Sequence, residues 1–358
     1  MNIGPVGLLS LDAKQAFAGY TLVAPLRGRT CYLVDLQGQI VHQWELRGRL
    51  GSLATLVPGG RLLVTTMTTE GPPIIEGKGG HFQEYDWDGN LVWEYVDHCQ
   101  HHDFRRLPNG NTLYIGWEDM PAQRARLLRG GVAGTESAKG GRIFSDYVRE
   151  VTPGGDTAWE WHAHSLDIER YPLAHDCWRW EFAHANSCCP LPNGGVLISF
   201  RHLDTLMMVG RDGEVGWEKR DSTWGHQHDA QLLQNGNILL FANGMSNLIL
   251  PPASRVLEID PRTGSTVWQY GAPQSWTFFS PIISGAQRLS NGNTLVCEGL
   301  NGRLFEVTRA GEISWEYVCP FFTQVFPNDG PCNSIFRAYR YAADSEEIGA
   351  RLPSPALK

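Results

Sequence analysis

The chain repeats itself, and the repeat decides what it can fold into. A strand, an Asp/Gly turn and a second strand ending near tryptophan recur six times. The copies are YLVDLQGQIVHQW (32–44), FQEYDWDGNLVWEY (82–95), VREVTPGGDTAWEW (148–161), MMVGRDGEVGWEK (207–219), RVLEIDPRTGSTVWQY (255–270) and RLFEVTRAGEISWEY (303–317). Their tryptophans, Trp44, Trp93, Trp159, Trp217, Trp268 and Trp315, lie 47 to 66 residues apart. Each copy alternates with period two around a turn signal, which predicts an antiparallel hairpin.

A second motif falls between these copies: LVPGGRLLV (56–64), LPNGNTLYI (107–115), LPNGGVLIS (191–199), LQNGNILLF (233–241) and LSNGNTLVC (289–297). Asn-Gly between apolar residues is a strong hairpin signal, because both central residues of a two-residue turn need positive φ. Two hairpins per period give four strands per unit, the signature of a propeller blade. The expected fold is all-β: a six-bladed β-propeller with four-stranded antiparallel blades and long inter-strand loops. Residues 1–358 read as one propeller domain, with N-terminal strands closing the last blade, residues 333–341 as part of a degenerate sixth inner hairpin, and 342–358 as a C-terminal tail. The stretches 119–145 and 162–183 break the period and read as long insertions, a common place for function.

Composition supports this reading. The 358 residues include 40 Gly and 13 Trp but only 19% charged residues, poor material for long surface helices or disorder. A net charge of −8 without a basic tract argues against nucleic acid or an anionic membrane as partner. No apolar run approaches the roughly 20 residues of a spanning helix. The N-terminus shows no secretory pattern, so a cytoplasmic location is expected. The eight cysteines, without a CxxC pair, read as reduced thiols rather than a structural zinc site.

Of 12 histidines, 11 lie between positions 81 and 228, and several fall in register with the LxNG motif. His102, Asn186 and His228 lie five residues before its leucine; His184 and His226 lie seven before it. Two residues apart on an extended strand means one face, so the inner strands of three consecutive blades should point these groups into one funnel. With two-residue turns, Arg201 should lie opposite Asn186, Asn243 opposite His228 and Trp117 opposite His102. His101 and His202 should then point away, and His162 and His164 read as surface polarity. Trp178, Trp180 and Phe182, just before His184, suit either an aryl-binding wall or blade core.

Imidazoles with one guanidinium suit an anionic group such as sulfate, phosphate or carboxylate. One imidazole can attack sulfur or phosphorus while its neighbours hold the oxygens. Neutral imidazoles on one face also suit a divalent transition metal, which would make His102, His184, His226 and His228 ligands in a lyase, hydrolase or oxygenase. A non-catalytic propeller that binds a partner is the third alternative.

The segments HHDFRRLPNGNTLYI, HANSCCPLPNGGVLISFRH, HQHDAQLLQNGNILLFANG, SRVLEIDPRTGSTVWQY, LSNGNTLVCEGLNGRLFEVTRAGEISWEY and FRAYRY resemble the bacterial arylsulfate sulfotransferases over roughly residues 18–341. The resemblance implies a six-bladed propeller that moves a sulfuryl group between phenols through a sulfated histidine, with no cofactor and no 3′-phosphoadenosine-5′-phosphosulfate. Carried onto this chain, it implies that His228 is the nucleophile. Arg201, Asn186 and His184 would bind the sulfuryl oxygens, and His102 would move the proton. His226, Asn243, Trp117 and Trp178 complete the expected substrate site, for a small aromatic or sulfated molecule.

Overall fold

The computed structural model describes residues 4–245, 252–271, 277–325, 328 and 330–353. It is a six-bladed β-propeller of four-stranded antiparallel blades. Blade I holds Gly19–Val23, Thr30–Val34 and Ile40–Glu45, with Tyr339–Ala342 as its first strand in space. Blade II is Leu50–Val57, Arg61–Met67, Gly80–Tyr85 and Leu91–Val96. Blade III is Gln100–Arg106, Thr112–Asp119, Phe144–Val151 and Thr157–His162. Blade IV is Ala185–Pro190, Val196–Phe200, Thr205–Val209 and Val215–Arg220. Blade V is His228–Leu232, Ile238–Ala242, Arg255–Asp260 and Ser265–Tyr270. Blade VI is Gly285–Arg288, Thr294–Glu298, Arg303–Val307 and Ile313–Val318, with Gly7–Leu11 added on its outer edge.

The chain's contacts gather into two compact units. One holds blades I, II and VI with both chain ends; the other holds 68–78 and 97–268, hence blades III and IV and almost all of V. In the first, N-terminal and C-terminal strands share blade I, where Tyr20 pairs with Tyr341 and Leu22 with Tyr339. The segment after that strand is not a loose tail throughout: Ile348 is fully buried among Tyr20, Leu56 and Tyr85.

The repeated tryptophans join neighbouring blades. Trp44 Nε1 donates to the Asp86 carbonyl (2.9 Å), and Trp315 Nε1 to that of Leu36 (2.9 Å). In the second unit Trp159 donates to the Arg211 carbonyl (3.0 Å) and Trp217 to that of Pro261 (2.9 Å). Each acceptor lies in the Asp/Gly turn of the following blade's outer hairpin. Both halves of one repeated motif are thereby used: the indole of one copy satisfies the turn of the next.

The inner hairpins differ from expectation by a residue. Gly110 N donates to the Leu107 carbonyl and Leu107 N to that of Asn111, so the turn has four residues, Leu-Pro-Asn-Gly. The same bonds recur at Leu191, Leu233 and Leu289. Only the glycine has positive φ (87° at Gly110, 85° at Gly194), as in a type I turn followed by a left-handed bulge residue. Strand partners therefore slip by one relative to a two-residue turn.

The insertions after the second strand of blade III and after its last strand are built against each other. Gly130–Val132 pairs in parallel with Leu173–Trp178. Phe144 N donates to the Trp180 carbonyl and Phe182 N to that of Phe144. Leu128, Ile168, Tyr171 and Phe182 join the blade III–IV core around Ile198 and Phe200. The insertions thus carry buried apolar anchors and hold defined positions beside the inner strands.

Because Trp315 is wholly buried, Trp315→Phe keeps most of its apolar contact but orphans the Leu36 carbonyl. A loss of about 1–3 kcal/mol is expected, read as a lower urea midpoint at unchanged slope.

Candidate functional site

All the candidate side chains belong to the unit that contains blades III to V. Its inner strands lie side by side. Cys188 N donates to Asp103 Oδ2 (2.9 Å), Ala230 N to Ser187 Oγ (3.1 Å) and Asn186 Nδ2 to the Gln227 carbonyl (2.8 Å). Each strand starts irregularly. Ladder register shifts between Phe104 and His101, between Ala185 and Ser187, and between His228 and Gln231. His102, Ala183, His184, His226 and Asp229 all have φ between 52° and 76°. Bulges and left-handed residues re-aim side chains and cost energy that the surrounding bonds must offset.

The simple alternation expected of an extended strand therefore fails here. His101 and His202, expected to point away, are completely or nearly completely buried within the cluster. His101 stacks on Trp117 (centroids 4.0 Å, 18°), and its Nδ1 lies 2.7 Å from Nδ1 of His102. Trp117 thus faces His101 rather than His102. His202 stacks on His184 (4.5 Å), and His184 meets the His102 ring edge at 4.7 Å. Arg201 lies opposite His184, donating its N–H to that carbonyl (3.0 Å), and not opposite Asn186. His228 pairs with Phe241 in the ladder, yet its Nδ1 reaches Asn243 Oδ1 at 2.8 Å, so that expected contact exists across a different register.

Carboxylates organise this cluster, and two of the four, Asp176 and Glu181, come from the second insertion. Glu181 Oε2 accepts from His184 Nδ1 (2.6 Å) and Oε1 from Trp117 Nε1 (2.7 Å). Asp176 lies 3.1 Å from His226 Nε2 through both oxygens. Asp204 Oδ1 accepts the His226 N–H (2.8 Å), and Asp146 Oδ2 accepts that of Ala185 (2.9 Å). His101 Nε2 lies 3.1 Å from Asp146 Oδ1.

Protonation follows from these partners. His226 Nδ1 faces the Arg201 carbonyl (3.0 Å) and Nε2 faces Asp176, acceptors on both sides. The bond from His226 pulls the Asp176 carboxyl down to about 2. His228 Nδ1 faces the His226 carbonyl (3.0 Å) as well as Asn243, so its proton sits on Nδ1 and the lone pair on Nε2. Burial drives His101 down to about 3 and holds His184 and His202 well below the usual imidazole range; Arg201 adds to the effect on His184. Burial, aided by the charge of Glu181, raises Asp146. The His101–Asp146 contact is thus one between neutral groups. Arg201 approaches Met245 Sδ (3.8 Å), and among the described residues its guanidinium has no carboxylate partner.

Three groups bring metal-ligand atoms within 4.8 Å of one another among the described residues: Glu118–His162–His164, Asp176–Cys177–His226 and Glu181–His184–His202. None combines the expected set His102, His184, His226 and His228. In the second group the His226 nitrogens face acceptors, and burial pushes the Cys177 thiol up to about 12, which opposes thiolate ligation. His162 and His164, expected as plain surface polarity, gather on Glu118; its bond to His162 Nδ1 (2.9 Å) raises that imidazole. Trp178, a candidate substrate residue, is half exposed and stacks on buried Trp180 (5.5 Å), which packs with Ile74, Trp117 and Phe144. Phe182 is core.

Residues 172–319 match the family model described as arylsulfotransferase (ASST). Over this segment the chain is similar to the arylsulfotransferases. It is 27% identical over 174 residues to the arylsulfate sulfotransferase AssT of Escherichia coli O6:H1. That alignment covers 35% of this chain and 29% of the relative, so the match spans less than a third of the relative's length. Among solved structures, a protein of unknown function from Bacteroides caccae superposes with TM-score 0.56 at 13% identity, over 90% of this chain and 98% of that one. A streptogramin B lyase does so with TM-score 0.50 at 12% identity, over 89% and 84%. At such identities the likeness is one of fold. The arylsulfotransferase match includes His184, Asn186, Arg201, His226, His228 and Asn243, with Asp176 and Glu181 from the insertion.

Sequence reasoning missed Glu181, Asp176, Asp204 and Asp146. The available signal was chemical: buried histidines require acceptors, and the insertion preceding His184 holds Asp176 and Glu181.

Asp176 has its carboxyl pKa lowered on folding, so it stabilises the fold above about pH 4, and this is lost as pH falls towards 2. Urea unfolding of wild type and Asp176→Asn should differ by about 1 kcal/mol at pH 5, because solvent screens this partly exposed carboxylate, and converge near pH 2.

Proposed function

We propose that this chain transfers a sulfuryl group from an aryl sulfate to a phenol through a sulfated His228. The observation that carries the reading is the His228 tautomer: with Nδ1 committed to the His226 carbonyl and Asn243, Nε2 holds the lone pair that attacks sulfur. Among the described residues the Arg201 guanidinium has no carboxylate partner, and the His226 ring lies against the Arg201 backbone. A guanidinium and imidazole donors in one site favour an anion whose negative charge sits on equatorial oxygens. Asn186 holds the backbone at Gln227, directly before the nucleophile, through its Nδ2–H. It serves as a brace for His228 in this reading. Similarity to the arylsulfotransferases over residues 172–319 supports the substrate class.

In the first half-reaction an N–S bond forms at Nε2 as the S–O bond to the leaving phenol breaks. In the second, an acceptor oxygen attacks sulfur and the electron pair returns to Nε2. No sulfonucleotide is required, because the aryl sulfate is itself the donor.

A metal-dependent reaction has one specific observation in its favour, the Glu181–His184–His202 group, made wholly of buried side chains. Elemental analysis of purified protein separates the two: stoichiometric zinc, manganese or iron supports the metalloenzyme.

Incubation with p-nitrophenyl sulfate should release nitrophenolate and add about 80 Da to the peptide carrying His228. His228→Ala should lower turnover by on the order of 10³-fold or more, and Arg201→Ala by about 10²-fold, both with wild-type unfolding curves. Full activity in His228→Ala would refute the nucleophile.

A further inference from the structure

The rings of His102 and His184 meet edge to face at 4.7 Å, but they are backed differently. His102 shares a 2.7 Å contact with the neutral, buried imidazole of His101. His184 Nδ1 donates to a carboxylate oxygen of Glu181 at 2.6 Å. The other Glu181 oxygen is taken by Trp117 Nε1 at 2.7 Å. Two N–H donors, one on each oxygen, are what an ionised carboxylate accepts. The side chain is completely buried and Trp117 locks its orientation. A carboxylate accepting from imidazole Nδ1 fixes the tautomer, leaves Nε2 as the basic nitrogen and stabilises the imidazolium when Nε2 takes a proton.

We propose that Glu181 is the positioning carboxylate of the transfer and that His184, rather than His102, is the group that moves the proton. The assignment rests on the sulfuryl-transfer reading above. With the sulfate anion bound, its charge and that of Glu181 favour the His184 imidazolium, and as the S–O bond to the donor breaks, Nε2–H gives its proton to the departing phenolate oxygen. The neutral imidazole then takes the hydroxyl proton of the acceptor as that oxygen bonds to sulfur, so the proton is restored each cycle. The groups around this imidazole are Glu181 on its own segment, His202 on the turn after the second strand of blade IV, His101 and His102 on blade III, Arg201 and His226. Arg201 opposes charge on His184 and Glu181 favours it, which suits a group that must hold a proton in one half-reaction and lack it in the next.

The deciding measurement is the ratio of turnover on phenyl sulfate to turnover on p-nitrophenyl sulfate. Nitrophenolate departs without a proton, whereas phenolate needs one. Glu181→Gln should lower this ratio by about 10²-fold, and Glu181→Asp should restore part of it by restoring the charge. His102→Gln should lower both rates together. Should Glu181→Gln not fold, Trp117→Phe, which removes the other bond to Glu181, should lower the ratio in the same direction. The assignment is overturned if Glu181→Gln slows both substrates equally, if the ratio falls in His102→Gln instead, or if the protein carries stoichiometric metal on Glu181, His184 and His202. Wild-type protein that cleaves neither sulfate defeats the sulfuryl-transfer reading, and this assignment with it; that result is distinguishable because it precedes any comparison of variants.

Discussion

The bond on which the propeller depends is the indole N–H of one blade donating to a turn carbonyl of the next. Trp44, Trp159, Trp217 and Trp315 make it with nearly constant length, each to the outer hairpin turn of the following blade. A blade buries one face of a small twisted sheet against its neighbour, and apolar contact alone tolerates sliding. A directional bond from a large buried side chain fixes the register between sheets. It also explains why the motif couples a tryptophan to an Asp/Gly turn: one copy provides the donor and the next the acceptor.

On this scaffold the candidate site is a balance of buried charge. Five imidazoles, His101, His102, His184, His202 and His226, crowd together with Arg201 near four carboxyl groups. Burial alone would strip charge from all of them. The partners decide which groups keep it. His226 lies between Asp176 and a backbone carbonyl, acceptors on both sides, whereas His101 beside the protonation-prone Asp146 is neutral. His184, with Glu181 on one side and Arg201 near it, sits between these extremes. Residues of one type thus acquire different roles through the atoms each nitrogen faces.

Much of this was legible in the chain, and the failures have identifiable causes. Blade number, strand pairing and the side chains at the inner-strand starts followed from two repeated motifs. The inner hairpins slipped by a residue because Asn-Gly was read as a two-residue turn, whereas only the glycine adopts positive φ. His101 and His202 turned inward because left-handed backbone at His102 and bulges at the strand starts interrupt alternation, an effect that residue type does not encode. The contact of His228 with Asn243 survived a wrong register because two long side chains span the offset.

The sequence by itself determined the architecture, since period-two alternation, turn residues and a recurring tryptophan are local signals that six repeats reinforce. It also placed His102, His184, Arg201 and His228 at corresponding blade positions. Only the tertiary structure decided what each histidine does. Glu181 and Asp176 lie in an insertion outside the repeat, and nothing periodic predicts which imidazole they meet. That pairing is set where Leu173–Trp178 docks on Gly130–Val132 and Phe182 enters the core, because protonation inside a protein depends on the nearest acceptor and not on position in the chain.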